Sequence, residues 1–597
     1  MNKRKGISLI VLVITILVMI ILAGVVIVSL SKNNPVNKAK EATFKTDVST
    51  FEGDLSFYLA NSLAENSTLK MEDVDAAGYS EIKKVINSFA EKYADKFEVV
   101  DGELIYIGAD DKEEVWAAEV GLGFKVNVNS PVLADGMIPI KYNGNNWVIC
   151  SEIDNSWYNY GTKKYANIML SDGKFKDKNA IGTIVADSDL GSMFVWIPRY
   201  AYSIKNYKKN SVGCEGSTQL IHDITFLEGN TNVDKKGHTY PKSYDAKKVP
   251  KGKSTPKIVH PAFYFNGKEL NGIWLAKFEA SMNEVGTGHI NENKDASCNF
   301  TDANHSMIKI VPDKMTWRYL KIVHMSNNSK NMINNANIYG LKTGVNTHLI
   351  KNVEWGAAAY LATSKYGFTP TINNKIENET SSKYEGFKGY AGGGAYKSNT
   401  TQSTTGNITG IYDMNGGAWE YVAAFDNNKN NMLSVNGGEY IFPNNEIAPE
   451  YVNLFDRYEV STKESDPSIH EAILNAPYND AIYGNSFKKA ITKEKIDLMA
   501  THHGDAMYEY ILEDEWSYKG KTISNKWEWI KTLSPVNFEY SSTVVNEDFA
   551  HIGNTDWPFY LRGGDWWADK YSGLFSVDSH RGTASLNFGF RPALVNI

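Results

Sequence analysis

The chain has 597 residues, too many for one hydrophobic core, which predicts roughly two to four domains. Hydrophobic residues make up 42% and charged residues 22%, a globular composition that excludes wholesale disorder. A net charge of −7 leaves no basic excess for phosphates, so no nucleic-acid partner is expected. The three cysteines (Cys150, Cys214, Cys298) exclude a disulfide-dense scaffold and any CxxC metal or redox motif.

Residues 7–30 carry no charged side chain. As a helix they span roughly 36 Å, enough to cross a hydrocarbon core of about 30 Å. Lys3, Arg4 and Lys5 precede the run, so the membrane is an expected partner through this single pass, with the C-terminal bulk extracellular. The run is too long for a secretory signal peptide and no A-x-A site follows it. A short basic leader, Gly6, and an apolar helix opening at Ile7 resemble the prepilin signal of type IV pilins and pseudopilins. The resemblance covers residues 1–65. It implies cleavage after Gly6 by a prepilin peptidase, methylation of Ile7, and pilus or pseudopilus subunits as partners. Val11 stands where most of that family carries a Glu, which fits tip-located pseudopilins. A plain single-span anchor is the alternative.

Beyond the span, Pro35 can kink the helix. Phe44, Val48, Phe51, Leu55, Leu59 and Leu63 then recur near helical spacing. Residues 81–97 read as a helix, 97–107 as a hairpin turning at Asp101-Gly102, and 111–121 as a short helix stopping at Gly121. From about residue 130, short β-like runs bounded by Gly, Pro, Asn or Asp dominate, among them MIPIKY, NWVIC, MFVWIP, GIWLAKFEAS, YLRGG and FGFRPALV. Helical signal survives near 353–364 and 486–499.

Three stretches carry a second resemblance: GIWLAKFEAS (272–281), GIYDMNGGAWEY (410–421) and LRGGDWW…FGFRPAL (561–594). Their order resembles the formylglycine-generating enzyme superfamily, a variant of the C-type lectin fold, and NVEWGAAAYLA (352–362) resembles that family's EAEWEYA helix. The expected fold class is α+β. The expected parts are a leader at 1–6, a pilin-like transmembrane and amphipathic helix at 7–65 and a small α/β head at 66–125. A β-rich linker or accessory region follows at 126–256, then the lectin-like domain at 257–597 with an insertion near 426–556. Arg562 and Arg591 are expected to tie loops by bidentate bonds, and Trp419, Trp566 and Phe590 to pack the core.

Asp413 and Glu420 flank the carbonyls of Gly416 and Ala418 on a bendable segment, a mixed oxygen set suited to calcium. The resembling family binds calcium at matching positions, with Asn where Asp413 stands. The alternative is that Glu420 closes the turn through backbone N–H groups. The family's enzymes hold copper between two cysteines after the RGG turn. Here those positions read Ala568 and Gly573, no cysteine follows Cys298, and Asp565 replaces a Ser, so neither copper nor oxidase activity is expected. THHGD (501–505) reads as a solvated loop rather than a metal site, and DSHR (578–581) holds triad residue types without triad geometry.

These readings favour a non-catalytic, surface-displayed head that recognises an extracellular protein or glycan, on a pilus tip or anchor. Phrases such as MFVWIPRYAYSI loosely resemble surface and phage-tail-like proteins of Gram-positive bacteria. An enzyme on the same fold and a ligand-free filament subunit are the competing classes. The last segment also resembles the variable region of diversity-generating retroelement target proteins. By that resemblance Asp565, Trp567, Asp569, Tyr571, Ser576, Asp578, His580 and Arg581 form the ligand face. Strand alternation turns Phe575 and Val577 inward and Ser576, Asp578 and His580 outward.

Overall fold

The computed structural model describes residues 35–66, 71–204, 222–244, 254–282, 308–371, 396–427, 433–459, 503–506, 516–523, 558–565 and 572–597, apart from isolated positions and a few short stretches within those ranges. Residues 7–30, with Gly6 and Ile7, lie outside them. Among the described residues no helix is long and apolar enough to cross a membrane. The chain divides into two compact units, Met1–Lys125 and Val126–Ile597.

In the first unit, helix α1 (Pro35–Glu65) buries Phe44, Val48, Phe51 and Leu55, one face at helical spacing. The Phe44 and Phe51 rings meet Phe97 at 6.0 and 6.1 Å, which places an aromatic cluster at the centre of this small core. The stripe stops there: Leu63 and Phe57 are exposed. The helix expected over 81–97 is shorter. Helix α2 (Tyr79–Val85) ends where the Asp54 carboxylate accepts the Ser88 N–H at 2.6 Å, and Ile86 and Phe89 turn into the core. A four-stranded sheet follows, in the order β1 (Ala76–Ala77), β2 (Phe97–Val100), β3 (Glu103–Tyr106), β4 (Gly123–Phe124). Val100 pairs with Glu103, so the hairpin turns at 101–102 as expected, with Gly102 at φ 75°. Residues 112–113 and 116–117 are helical, and Gly121 lies outside the described residues.

The second unit is mixed α and β. Its main sheet uses β5 (Met137–Tyr142), β6 (Trp147–Ile149), β7 (Asn167–Leu170), β8 (Ile184–Val185) and β9 (Met193–Pro198). Strands β10 (Tyr200–Ile204), β11 (His222–Phe226) and β12 (Ile258–Val259) form a small sheet of their own, centred on β10. Next come β13 (Gly272–Ala276), α3 (Ile322–Lys330), β14 (Val345–Leu349), α4 (Asn352–Ala362), β15 (Trp419–Asn427) and β16 (Asp456–Glu459). The chain ends with β17 (Phe559–Gly563), β18 (Gly573–His580), β19 (Phe588–Phe590) and β20 (Pro592–Asn596). The eight-stranded sheet runs β14–β20–β13–β9–β7–β5–β6–β8. Strands from both sides of the boundary expected at 256/257 therefore share one sheet. Its central strands β9 and β13 are fully buried and read as continuous apolar runs, MFVWIP and GIWLA, because the middle of the sheet is covered on both faces. The second sheet runs β16–β15–β17–β18, with β19 parallel to β15. Helix α4 matches the expected 353–364. The helix expected over 486–499 lies outside the described residues.

Candidate functional site

The KFE of the GIWLAKFEAS motif leaves β13 and pins the loop that precedes β15. Lys277 Nζ donates to the carbonyls of Ile408 at 2.6 Å and Gly410 at 2.8 Å, with the Trp147 and Tyr412 rings 5.2 and 5.5 Å away. Burial pushes this ammonium well below its ordinary pKa. Glu279 accepts the Ala418 N–H at 2.7 Å and the Thr316 hydroxyl. Its carboxyl is pushed well above the usual range by burial, then by Asp413 and Glu420.

Arg591 lies at the step from β19 to β20, where the chain passes from the second sheet to the main one. Its Nε donates to Glu420 Oε2 at 2.7 Å and its Nη2 to Oε1, while Nη1 reaches the carbonyls of Ala276 (3.1 Å) and Tyr412 (3.0 Å). One planar fork thus joins β13, the 410–418 loop, β15 and the last strand, the bidentate tie expected of Arg591. Burial lifts the Glu420 carboxyl to about 7 while Arg591 pulls it down. Donors on both oxygens make the charged pair the state we assign. Arg562 also ties loops, but to neutral groups: Nη2 donates to the Ala506 carbonyl at 3.0 Å and Nη1 to Asn352 Oδ1 at 3.3 Å. The two guanidinium carbons sit 5.8 and 5.6 Å from the ring of Trp355. The RGG turn has Gly563 at φ 88° and Gly564 at φ 81°, and a Cβ on Gly564 would strike Ser572. Trp419 and Phe590 are buried as expected, and Trp566 lies outside the described residues.

The calcium set expected from the sequence loses Glu420, its second carboxylate. Both oxygens of Glu420 belong to Arg591, so an ion there would have to displace a buried guanidinium. The N–H groups of this loop close the turn: Gly416 donates to the Gly563 carbonyl at 2.9 Å and Ala418 to Glu279 Oε1 at 2.7 Å. Asp413 is buried at φ 65° beside Glu279. Asn415 Oδ1 is a buried acceptor without a hydrogen-bond partner. Among the described residues no group of three His, Cys, Asp or Glu side chains is placed to hold a metal.

The expected ligand face is corrected in part. Ser576 is fully buried, and Asp565 is buried with Oδ2 accepting from Asn587 Nδ2 at 2.8 Å. Strand alternation misplaced Ser576 because the first half of β18 is covered on both faces. Asp578 and His580 are half-buried and Arg581 is exposed. Trp567, Asp569 and Tyr571 lie outside the described residues. His580 Nδ1 meets the Tyr421 hydroxyl at 2.9 Å, a structural contact without triad geometry.

THHGD is not a solvated loop. The His503 ring stacks on Tyr244 at 4.3 Å, Asp505 is buried and accepts from the Tyr458 hydroxyl at 3.3 Å, and Gly504 takes φ 75°. His502 lies outside the described residues. The sequence reading also missed Lys277 and Glu279. Two charged residues inside an otherwise apolar strand motif were the available signal.

No curated protein matches this chain. Residues 328–470, which span α4, β15 and the segment carrying Asp413 and Glu420, are similar to the sulfatase-modifying factor enzyme 1-like domain family.

Proposed function

We propose that the second unit is a non-catalytic recognition head, displayed outside the cell on a pilin-like N-terminal helix and binding an extracellular protein or glycan. The observation that carries this reading is the pairing of Gly563 with Gly573 across β17 and β18. Gly573 is one of the two positions where the resembling enzymes carry a copper cysteine, and here the strand offers only backbone. The scaffold is kept while the soft ligands are replaced. The alternative enzymatic reading makes a direct demand: the full chain, given copper, oxygen, a thiol reductant and a cysteine-containing peptide, must yield formylglycine. We expect mass spectrometry to find the peptide unchanged.

The binding reading is tested by probing the detergent-solubilised full chain against glycan and bacterial surface-protein arrays. Within the C-terminal face, Trp567 and Tyr571 are the proposed anchors, since Trp and Tyr dominate binding hot spots. Trp567→Ala and Tyr571→Ala should each weaken a captured ligand by about 2 kcal/mol with an unchanged melting temperature. Normal binding by both variants, with loss on altering the 426–556 insertion, places the site in the insertion instead.

A further inference from the structure

We propose that the junction of β11, α4 and β18 is an acid-operated latch, opened when His222 and His260 take up protons. Both imidazoles are buried. The His222 ring lies flat on Tyr360 of α4, centroids 4.0 Å apart and planes 14° apart, and 6.0 Å from Phe575 of β18. His260 stands 5.4 Å from the same Tyr360, and 5.2 and 5.1 Å from Tyr200 and Tyr202 of β10. Phe263 stands 5.8 Å from His260 as well. One ring stack thus fastens the small sheet to the helix and to β18, the strand within the proposed ligand segment.

Hydrogen bonding assigns one proton to each ring. The Thr363 hydroxyl donates to the Ala359 carbonyl at 2.9 Å, so it accepts from His222 Nδ1 at 2.6 Å. His260 Nδ1 accepts the Ala262 N–H at 3.2 Å, which leaves its proton on Nε2. A second proton on His222 puts a positive charge on a buried ring stacked face to face with Tyr360. On His260 it breaks the bond to Ala262. The backbone of Gly504 favours charge on His260, but burial overrides it and pushes the imidazole down to about 3. Burial also pushes His222 well below its ordinary value, and His260 adds to that. The nearby carboxylates are engaged elsewhere: Asp223, next along β11, with Lys257 at 3.2 Å, and Asp505 with Tyr458. Among the described residues no carboxylate contributes to either shift.

The sign follows from linkage. Each folded pKa is depressed below the unfolded value of about 6.5, so the open form binds the proton first. The latch is intact above about pH 6.5 and weakens as pH falls toward the folded values. For each unit below about 6.5, each histidine shifts the equilibrium toward the open form by about tenfold.

The test uses the full chain. Unfolding equilibria of the wild type and a His222→Phe/His260→Phe double variant are measured from pH 7.5 to 5.0. Phenylalanine keeps a flat ring in the stack and removes the proton site. The wild type should lose stability below about pH 6.5, by up to about a hundredfold per unit, and the variant should lose at least tenfold less. Parallel loss in both overturns the latch. Should the variant not fold, hydrogen exchange on the wild type decides, after correction for intrinsic rates. Exchange that rises first in 222–226, 352–363 and 573–580 on acidification supports it, and a uniform rise overturns it.

Discussion

Arg591 and Glu420 show how far one buried contact organises this head. The pair joins two sheets at the step where the chain changes from one to the other. Removing one partner strands the other charge away from water, which typically costs about 3–5 kcal/mol. Glu420→Gln should therefore destabilise the second unit by that amount in urea unfolding, and a cost under about 1 kcal/mol would contradict the pairing. A second position sets two effects against each other. Gly356 lies inside α4, where Gly→Ala normally gains up to about 1 kcal/mol of helix propensity. Here the added Cβ meets the Gly504 carbonyl backbone, and overpacking of that kind costs about 1–3 kcal/mol. The clash should win: Gly356→Ala lowers the melting temperature, and a rise would show that the 503–506 turn does not dock on α4.

Helix α1 separates readable periodicity from tertiary context. Its apolar repeat named six positions, of which four are buried against the aromatic core of the first unit. Phe51→Ala should cost about 3–5 kcal/mol, because its ring packs against Phe89, Tyr93 and Phe97. Phe57→Ala, 70% exposed on the same helix, should fall within about 0.5 kcal/mol of the wild type by circular dichroism melting. Strand β18 makes the opposite point. Alternation placed Phe575 and Val577 inward, which holds, and Ser576 outward, which does not. Period-two reasoning assumes one wet face, and the residues of β18 from Gly573 to Val577 have none.

Across the entire chain, two expectations separate the pilin-like and calcium readings. Mass spectrometry of the membrane-extracted protein should find a mature chain beginning at Ile7, and an intact Met1 in cells with an active prepilin peptidase leaves a simple anchor. Chelator should leave the melting temperature of the second unit unchanged, since Arg591 already neutralises Glu420. A fall on chelation, reversed by calcium, would return Glu420 to the metal.

Local chemistry in the chain was enough for the Asp101-Gly102 hairpin, the burial face of α1, the α4 helix, the glycine turn after Arg562 and the absence of cysteines beyond Cys298. Each depends on neighbours within a few residues or on composition, which a sequence displays directly. What lay out of reach was the partner of each buried polar group. Glu420 meets Arg591 across 171 positions, Lys277 meets Ile408 across 131, and His222 meets Thr363 across 141. A carboxylate in a Gly-rich loop suits calcium and guanidinium equally well, and THHGD suits solvent as well as a docking cleft. Burial decides between them: a charge withdrawn from water must find its counterpart wherever the fold brings one, and that distance in sequence carries no periodic signal.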